Sequence, residues 1–256
     1  MIKFAALLLP AGPLYEQSVV RLLRERFSEA PISYLFLDAR TGRMLDSRWS
    51  DAAQPVPPGS LVKPFTALAF GEAHRFHYPE YICRGKASGC WLARGHGRIG
   101  ITRAVAHSCN AYFRALAAKV PADDIASLAQ RYGLDAPPLG AKTDVLIGLG
   151  SGWKIAPAAL ARAYCRLIAE PRAADLVRGM ALSARSGTGH AARIGLVKTG
   201  TAPCTHEKKA PGDGFVMAFY PAQSPRYALL VRVHGVPGAE AAKVAGRMLR
   251  VIRDGE

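Results

Sequence analysis

No apolar run among the 256 residues approaches the ~18 needed to cross a bilayer, which excludes a helical membrane span within them. Acidic side chains are scarce: 19 Asp and Glu stand against 34 Lys and Arg, a formal net charge of +15. That balance suits acidic surroundings in general. The basic residues are nevertheless scattered, Lys208-Lys209 is the only pair of adjacent lysines, and aromatics make up 8% of the chain. No aromatic-studded basic ribbon of the nucleic-acid type results, so nucleic acid is not among the expected partners. Internal repeats and low-complexity tracts are also missing, which excludes solenoid architectures. Ser186-Gly-Thr-Gly lacks the lysine that would make a phosphate-binding loop.

Cysteine is sparse and odd in number. Of Cys83, Cys90, Cys109, Cys165 and Cys204, at least one stays unpaired in any compartment. Cys83 and Cys90 bracket a flexible Arg-Gly-Lys-Ala-Ser-Gly loop and are expected to form a disulfide in an oxidising space. With His96 they give three zinc donors at no compact spacing and without a fourth, so no metal or other cofactor is expected. Cys109 has no apparent histidine partner and reads as a buried structural cysteine. His74 and His77 read as surface or core histidines.

What is present is apolar bulk, 50% of the residues, enough for one large core. Met1 to Gly12, with Lys3 before Phe-Ala-Ala-Leu-Leu-Leu, has the order of a signal peptide, but the apolar part is short and no convincing cleavage site follows. It reads equally as a first strand or helix. Ser33–Asp38 and Gly42–Ser47 are strand-like and flank a turn, Ala39-Arg-Thr-Gly. A Pro-rich approach then leads into an apolar helix over 61–70. Pro64 is compatible with its first turn, where the backbone N–H has no intrahelical partner, so the helix is expected to start at or just before Ser60.

Residues 71–100 read as loop. Helical periodicity follows from Ile101, interrupted at Ala106–Asn110, and again over Ile155–Ala169. Gly195–Gly200, Phe215–Tyr220 and Tyr227–Val233 are strand-like, and Ala239–Ile252 reads as a closing helix. The expected fold is α+β: a central antiparallel sheet built from both chain ends and flanked by helices, with an inserted, mainly helical lobe.

Three short motifs carry chemistry. Ser60 and Lys63 lie three apart on one helical face, hydroxyl beside amine. Alone they read as a helix cap and a surface charge. Ser108-Cys109-Asn110 falls in a break between helices, and Lys198-Thr199-Gly200-Thr201 ends a strand. In this order and at these separations the three resemble the active-site signature of the penicillin-binding proteins and serine β-lactamases. Pro58–Leu68, Ala106–Phe113 including its aromatic pair, Leu149–Ala161, Val197–Ala202 and Phe215–Pro221 extend the resemblance, from about residue 33 to the C-terminus. Residues 1–32 are then an N-terminal segment and 33–256 a transpeptidase-like domain.

A serine hydroxyl needs a base within hydrogen-bond reach to act as nucleophile. Lys63 can serve if neutral, which burial and a positive Lys198 across the cleft would favour. Ser108 can relay a proton between the lysines and the leaving nitrogen, and Asn110 can hold Lys63 or the substrate's peptide carbonyl. Lys198, Thr199 and Thr201 suit a substrate carboxylate, with Gly200 allowing close backbone approach. The resemblance further implies an oxyanion hole from the N–H groups of Ser60 and Thr201, worth ~3 kcal/mol per donor.

It also implies a serine D-Ala-D-Ala transpeptidase or carboxypeptidase, acting outside the cytoplasmic membrane on peptidoglycan stem peptides. β-Lactams would be its covalent inhibitors and cell-wall proteins its partners. The rivals are a β-lactamase, for which Glu170 is the candidate water-activating base, and a sensor or binding module that acylates without turnover. Trp91 and Trp153 read equally as cleft or core residues.

Overall fold

A computed structural model describes residues 13–29, 31–204 and 211–255. The signal-like segment Met1–Gly12 and the Lys208-Lys209 pair lie outside the described residues. The sheet has five antiparallel strands in the order β2-β1-β7-β6-β5: β1 (Ile32–Asp38), β2 (Met44–Arg48), β5 (Leu196–Ala202), β6 (Asp213–Tyr220) and β7 (Tyr227–Val233). Its two halves, from opposite ends of the chain, join where β1 pairs with β7 from Ile32↔Val233 to Asp38↔Tyr227.

Alternation along the strands feeds two cores. Leu35, Leu37, Met217, Phe219 and Leu230 face the helical lobe. Tyr34, Phe36, Val216, Ala218, Leu229 and Val231 face the other way, onto α1 (Pro13–Arg26) and α9 (Gly238–Asp254). Both faces are covered, which is why these strands read as nearly continuous apolar runs.

The segment between β2 and β5 forms the lobe. It comprises α2 (Lys63–Ala73), a hairpin of β3 (Tyr81–Cys83) and β4 (Gly97–Ile99), α3 (Ile101–Ala106), α4 (Asn110–Ala117), α5 (Ala122–Arg131), α6 (Thr143–Leu146), α7 (Pro157–Ala169) and α8 (Ala174–Ser186). The hairpin falls within the stretch expected to be loop. α2 is buried from Lys63 to Gly71, and a 3-10 turn over Gly59–Val62 leads into it. The chain therefore begins to coil at Gly59, as a 3-10 turn, while the α-helix expected from about Ser60 starts at Lys63, with Pro64 in its first turn.

Candidate active site

The turn that carries Ser60 is fixed from two sides. Tyr164 of α7, fully buried, donates its hydroxyl to the Leu61 carbonyl at 2.7 Å. From the sheet side, edge strand β5 presses against it: a Cβ on Gly200 would stand 2.5 Å from the Pro58 carbonyl oxygen, and one on Gly59, whose φ is +58°, would stand 2.3 Å from that of Thr201. Only glycines let the nucleophile turn and the Lys198 strand come this close.

The middle motif sits between α3 and α4. Ser108 has a φ of +49°, an uncommon backbone for a side-chain-bearing residue, and this aims its hydroxyl back at the two lysines. Lys63 Nζ donates to Asn110 Oδ1 at 2.5 Å, to the Ser108 carbonyl at 3.0 Å and to Ser108 Oγ at 3.3 Å. Lys198 Nζ donates to the same Ser108 Oγ at 3.0 Å and to the Thr199 carbonyl at 2.6 Å. Both lysines are fully buried. The three bonds of Lys63 all go to the middle motif, while Ser60 is half-buried at the mouth of the adjoining cavity.

Two ammonium groups on one oxygen, less than about 6.5 Å apart, would repel by at least ~2.5 kcal/mol at an effective dielectric constant of 20. Burial pushes Lys63 down to about 7, with Arg114 adding to the effect and the thiols of Cys109 and Cys90 opposing it. Lys198 is driven well below its ordinary value by burial and then by the charge on Lys63. Burial is the largest cause for both amines, and the repulsion between the two groups is mutual, so each disfavours the proton on the other. At neutral pH the pair holds fewer than two protons across Ser108.

Ser60, Ser108, Asn110, Thr199, Gly200 and Thr201 line a cavity of about 330 Å³, together with Trp91 and Thr188. Thr201 Oγ1 accepts from the Gly238 N–H at 2.9 Å, which leaves its own proton available to donate. Thr199 Oγ1 donates to Thr188 Oγ1 at 2.6 Å. Thr188 lines the cavity although Ser186-Gly-Thr-Gly, lacking the lysine of a phosphate-binding loop, carries no functional signal in the sequence beyond its place just before the Lys198 strand. A larger depression beside α9, about 880 Å³ and lined by Arg193, Lys243, Arg247 and Arg250, contains no comparable nucleophile and base.

The tryptophans part company. Trp91 is 54% exposed and lines the cavity, whereas Trp153 is core and donates to the Asp135 carbonyl at 2.8 Å. Glu170 is not among the cavity residues; its carboxylate accepts from Arg172 at 2.8 Å.

Two cysteine expectations are overturned. Cys83 and Cys90 are free thiols, not a disulfide, and Cys109 does meet a histidine, because the sulfurs of Cys83, Cys90 and Cys109 converge with His96. The fourth donor missing from the sequence spacing is Cys109, brought in from the active-site loop by the packing of the β3–β4 hairpin.

Comparison with curated proteins finds no match. Among solved structures, the chain is similar to the PBP2 of Helicobacter pylori in complex with MreC, with a TM-score of 0.74 and 18% identity over 93% of this chain and 62% of that one. It is similar to the transpeptidase domain of the FtsI4 D,D-transpeptidase from Legionella pneumophila, with a TM-score of 0.69 and 19% identity over 94% and 96% of the two chains. A chain of a peptidoglycan synthase complex that coordinates polymerization and crosslinking gives a TM-score of 0.71 at 17% identity, and here the match covers 94% of this chain but 59% of the relative. These likenesses establish the α+β fold. The profile of the Penicillin binding protein transpeptidase domain matches residues 32–174, which hold Ser60, Lys63, Ser108 and Asn110 but stop short of Lys198. With the match spanning more than half of the chain, and β5 carrying the remaining motif to the same cavity, the chain belongs to the penicillin-binding protein transpeptidase domain family.

Proposed function

We propose that the chain is a penicillin-binding acyl-serine enzyme that acts on the D-Ala-D-Ala end of peptidoglycan stem peptides, as a transpeptidase or carboxypeptidase. The observation that carries this reading is the continuous hydrogen-bonded path Asn110–Lys63–Ser108–Lys198 beside the cavity that Ser60 lines. Neutral Lys63 takes the Ser60 proton as Oγ bonds to the penultimate D-Ala carbonyl carbon. Ser108 passes a proton to the leaving nitrogen as the C–N bond breaks and D-alanine departs. An amine or water then attacks the acyl ester and frees Ser60. The hydroxyl of Thr201, with Thr199 and the Lys198 amine, suits the terminal carboxylate. The N–H groups of Ser60 and Thr201 serve as oxyanion donors, with geometry that tightens when substrate binds.

Substrate of this class lies outside the cytoplasmic membrane, so the protein works there. Among the described residues no helix is long and apolar enough to cross a membrane. Cell-wall proteins are the proposed partners, in keeping with the MreC and synthase assemblies of similar structures.

The test is covalent labelling by a fluorescent penicillin followed by tryptic mapping. The label is expected on the Ser60 peptide alone, and Ser60→Ala is expected to give no adduct by mass spectrometry. An adduct that persists in that variant would end this reading.

A further inference from the structure

The loop between β3 and β4 is poor in packing atoms. Residues 84–96 read Arg-Gly-Lys-Ala-Ser-Gly-Cys-Trp-Leu-Ala-Arg-Gly-His, and the one large aromatic among them, Trp91, is more than half exposed. Yet the loop has a defined course. Gly85 and Gly95 both take positive φ, a Cβ on Gly95 would stand 2.3 Å from the Cys83 carbonyl, and the Cys90 N–H donates to the Gly85 carbonyl at 3.0 Å. This folding delivers Cys90 and His96 to the inner side of the hairpin, where Cys83 ends β3 and Cys109 caps α4.

We propose that Cys83, Cys90, His96 and Cys109 bind a structural zinc ion that clamps the β3–β4 hairpin to the loop carrying Ser108 and Asn110. The four donor atoms all lie within 4.8 Å of one another. His96 Nδ1 is 3.5 Å from Cys83 Sγ and 3.6 Å from Cys90 Sγ, and Cys90 Sγ is 3.8 Å from Cys109 Sγ. A tetrahedron with Zn–S of ~2.3 Å and Zn–N of ~2.05 Å has S···S edges of ~3.8 Å and S···N edges of ~3.6 Å. The three edges just given match these values, and the other three lie within 4.8 Å. Three thiolates and one imidazole are a common structural zinc set, filling all four positions and leaving none for water.

The surroundings suit thiolate ligands. The N–H groups of Leu92, Asn110 and Ala111 point at Cys90 Sγ, and that of Tyr112 at Cys109 Sγ, so the start of α4 faces the sulfurs. His96 turns Nδ1 toward the sulfurs, and its Nε2 is buried without a hydrogen-bond partner from the protein. Zinc on Nδ1 would place the ring proton on that Nε2.

Cys109 lies between two site residues. A metal on its sulfur would restrain the backbone that holds Ser108 at positive φ and presents Asn110 and the Ser108 carbonyl to Lys63. The ion would be a positioning element and would touch no reacting atom. The binding site stands independently of the proposed acylation chemistry.

The test measures metal on the full chain, purified without chelator. One zinc per chain is expected by elemental analysis, and exchange for cobalt(II) should give the intense visible bands of a tetrahedral cobalt–thiolate centre. Cys83→Ser and His96→Ala should each lose zinc and the cobalt bands while keeping the far-ultraviolet circular dichroism of the parent. Cys165→Ser and Cys204→Ser should retain both. Purified chain without zinc that takes up no cobalt and titrates five free thiols would overturn the proposal. So would a Cys83–Cys90 disulfide in material isolated from outside the cytoplasm. Should Cys83→Ser fail to fold, retention of zinc by His96→Ala would still refute the ligand set.

Discussion

Replacing Asn110 by aspartate tests the base directly, because it changes one atom and adds a charge at the shortest contact Lys63 makes. Asn110 Oδ1 receives the Lys63 amine at 2.5 Å, and both residues are buried. A carboxylate there stabilises the ammonium form. Opposite charges at such range shift a titration by ~1–3 units, and ~2 units is a conservative choice for a fully buried amine. That equals ~2.7 kcal/mol in favour of the protonated lysine.

Sign matters here. Lys63 titrates near 7 in the native protein and acts only when neutral, so acylation should rise with pH and level off above neutrality. In Asn110→Asp the rise should move to about pH 9, and at pH 7.5 the neutral fraction should fall about 25-fold. The assay is the second-order rate of fluorescent-penicillin acylation from pH 6 to 10. Recovery of most of the native rate at high pH is the expected result. A lower rate whose pH midpoint has not moved would refute Lys63 as the base and leave Asn110 only a steric role.

Other outcomes follow from single contacts. Benzylpenicillin should stay on Ser60 for minutes, and Glu170→Gln should leave its release rate unchanged, because that carboxylate is held by Arg172 away from the cavity; rapid steady hydrolysis in a spectrophotometric assay would favour a β-lactamase. Tyr164→Phe leaves the Leu61 carbonyl without its buried donor and should cost ~1–3 kcal/mol in denaturant unfolding, with slower acylation. Gly200→Ala forces a methyl toward the Pro58 carbonyl oxygen and should lower stability by ~1–3 kcal/mol while sharply reducing labelling; a fully active variant would show that β5 need not lie so close to the nucleophile turn.

Features whose physical cause is local were legible in the sequence. Pro64 marks the first turn of α2, and the apolar runs at 215–220 and 227–233 become strands buried on both faces. Ser60, Lys63, Ser108, Asn110, Lys198, Thr199, Gly200 and Thr201 lie on three segments whose order could be read, and the fold brings those segments to one cavity. What escaped depends on contacts between distant segments. α8 was hidden by Gly179, a poor helix former that lets α3 pack closely: a Cβ there would stand 2.5 Å from that of Val105. The convergence of Cys109 with Cys83, Cys90 and His96 has no sequence period, since it needs the β3–β4 hairpin to fold onto the start of α4. The full burial of both lysines, which lowers their proton affinity, depends on how the lobe packs on the sheet, and no spacing rule contains that.

The seam between β1 and β7 also has a consequence during synthesis. The first strand leaves the ribosome long before its partner at 227–233 exists, and at ~5–20 residues per second the interval is about 10–40 s. Throughout that time Ile-Ser-Tyr-Leu-Phe-Leu-Asp, paired at most with β2 on one side, presents an open edge with apolar side chains on both faces. The nascent chain is therefore expected to be prone to aggregation while that edge is open, and slowed translation over residues 40–225 should raise its aggregation more than slowing after residue 233.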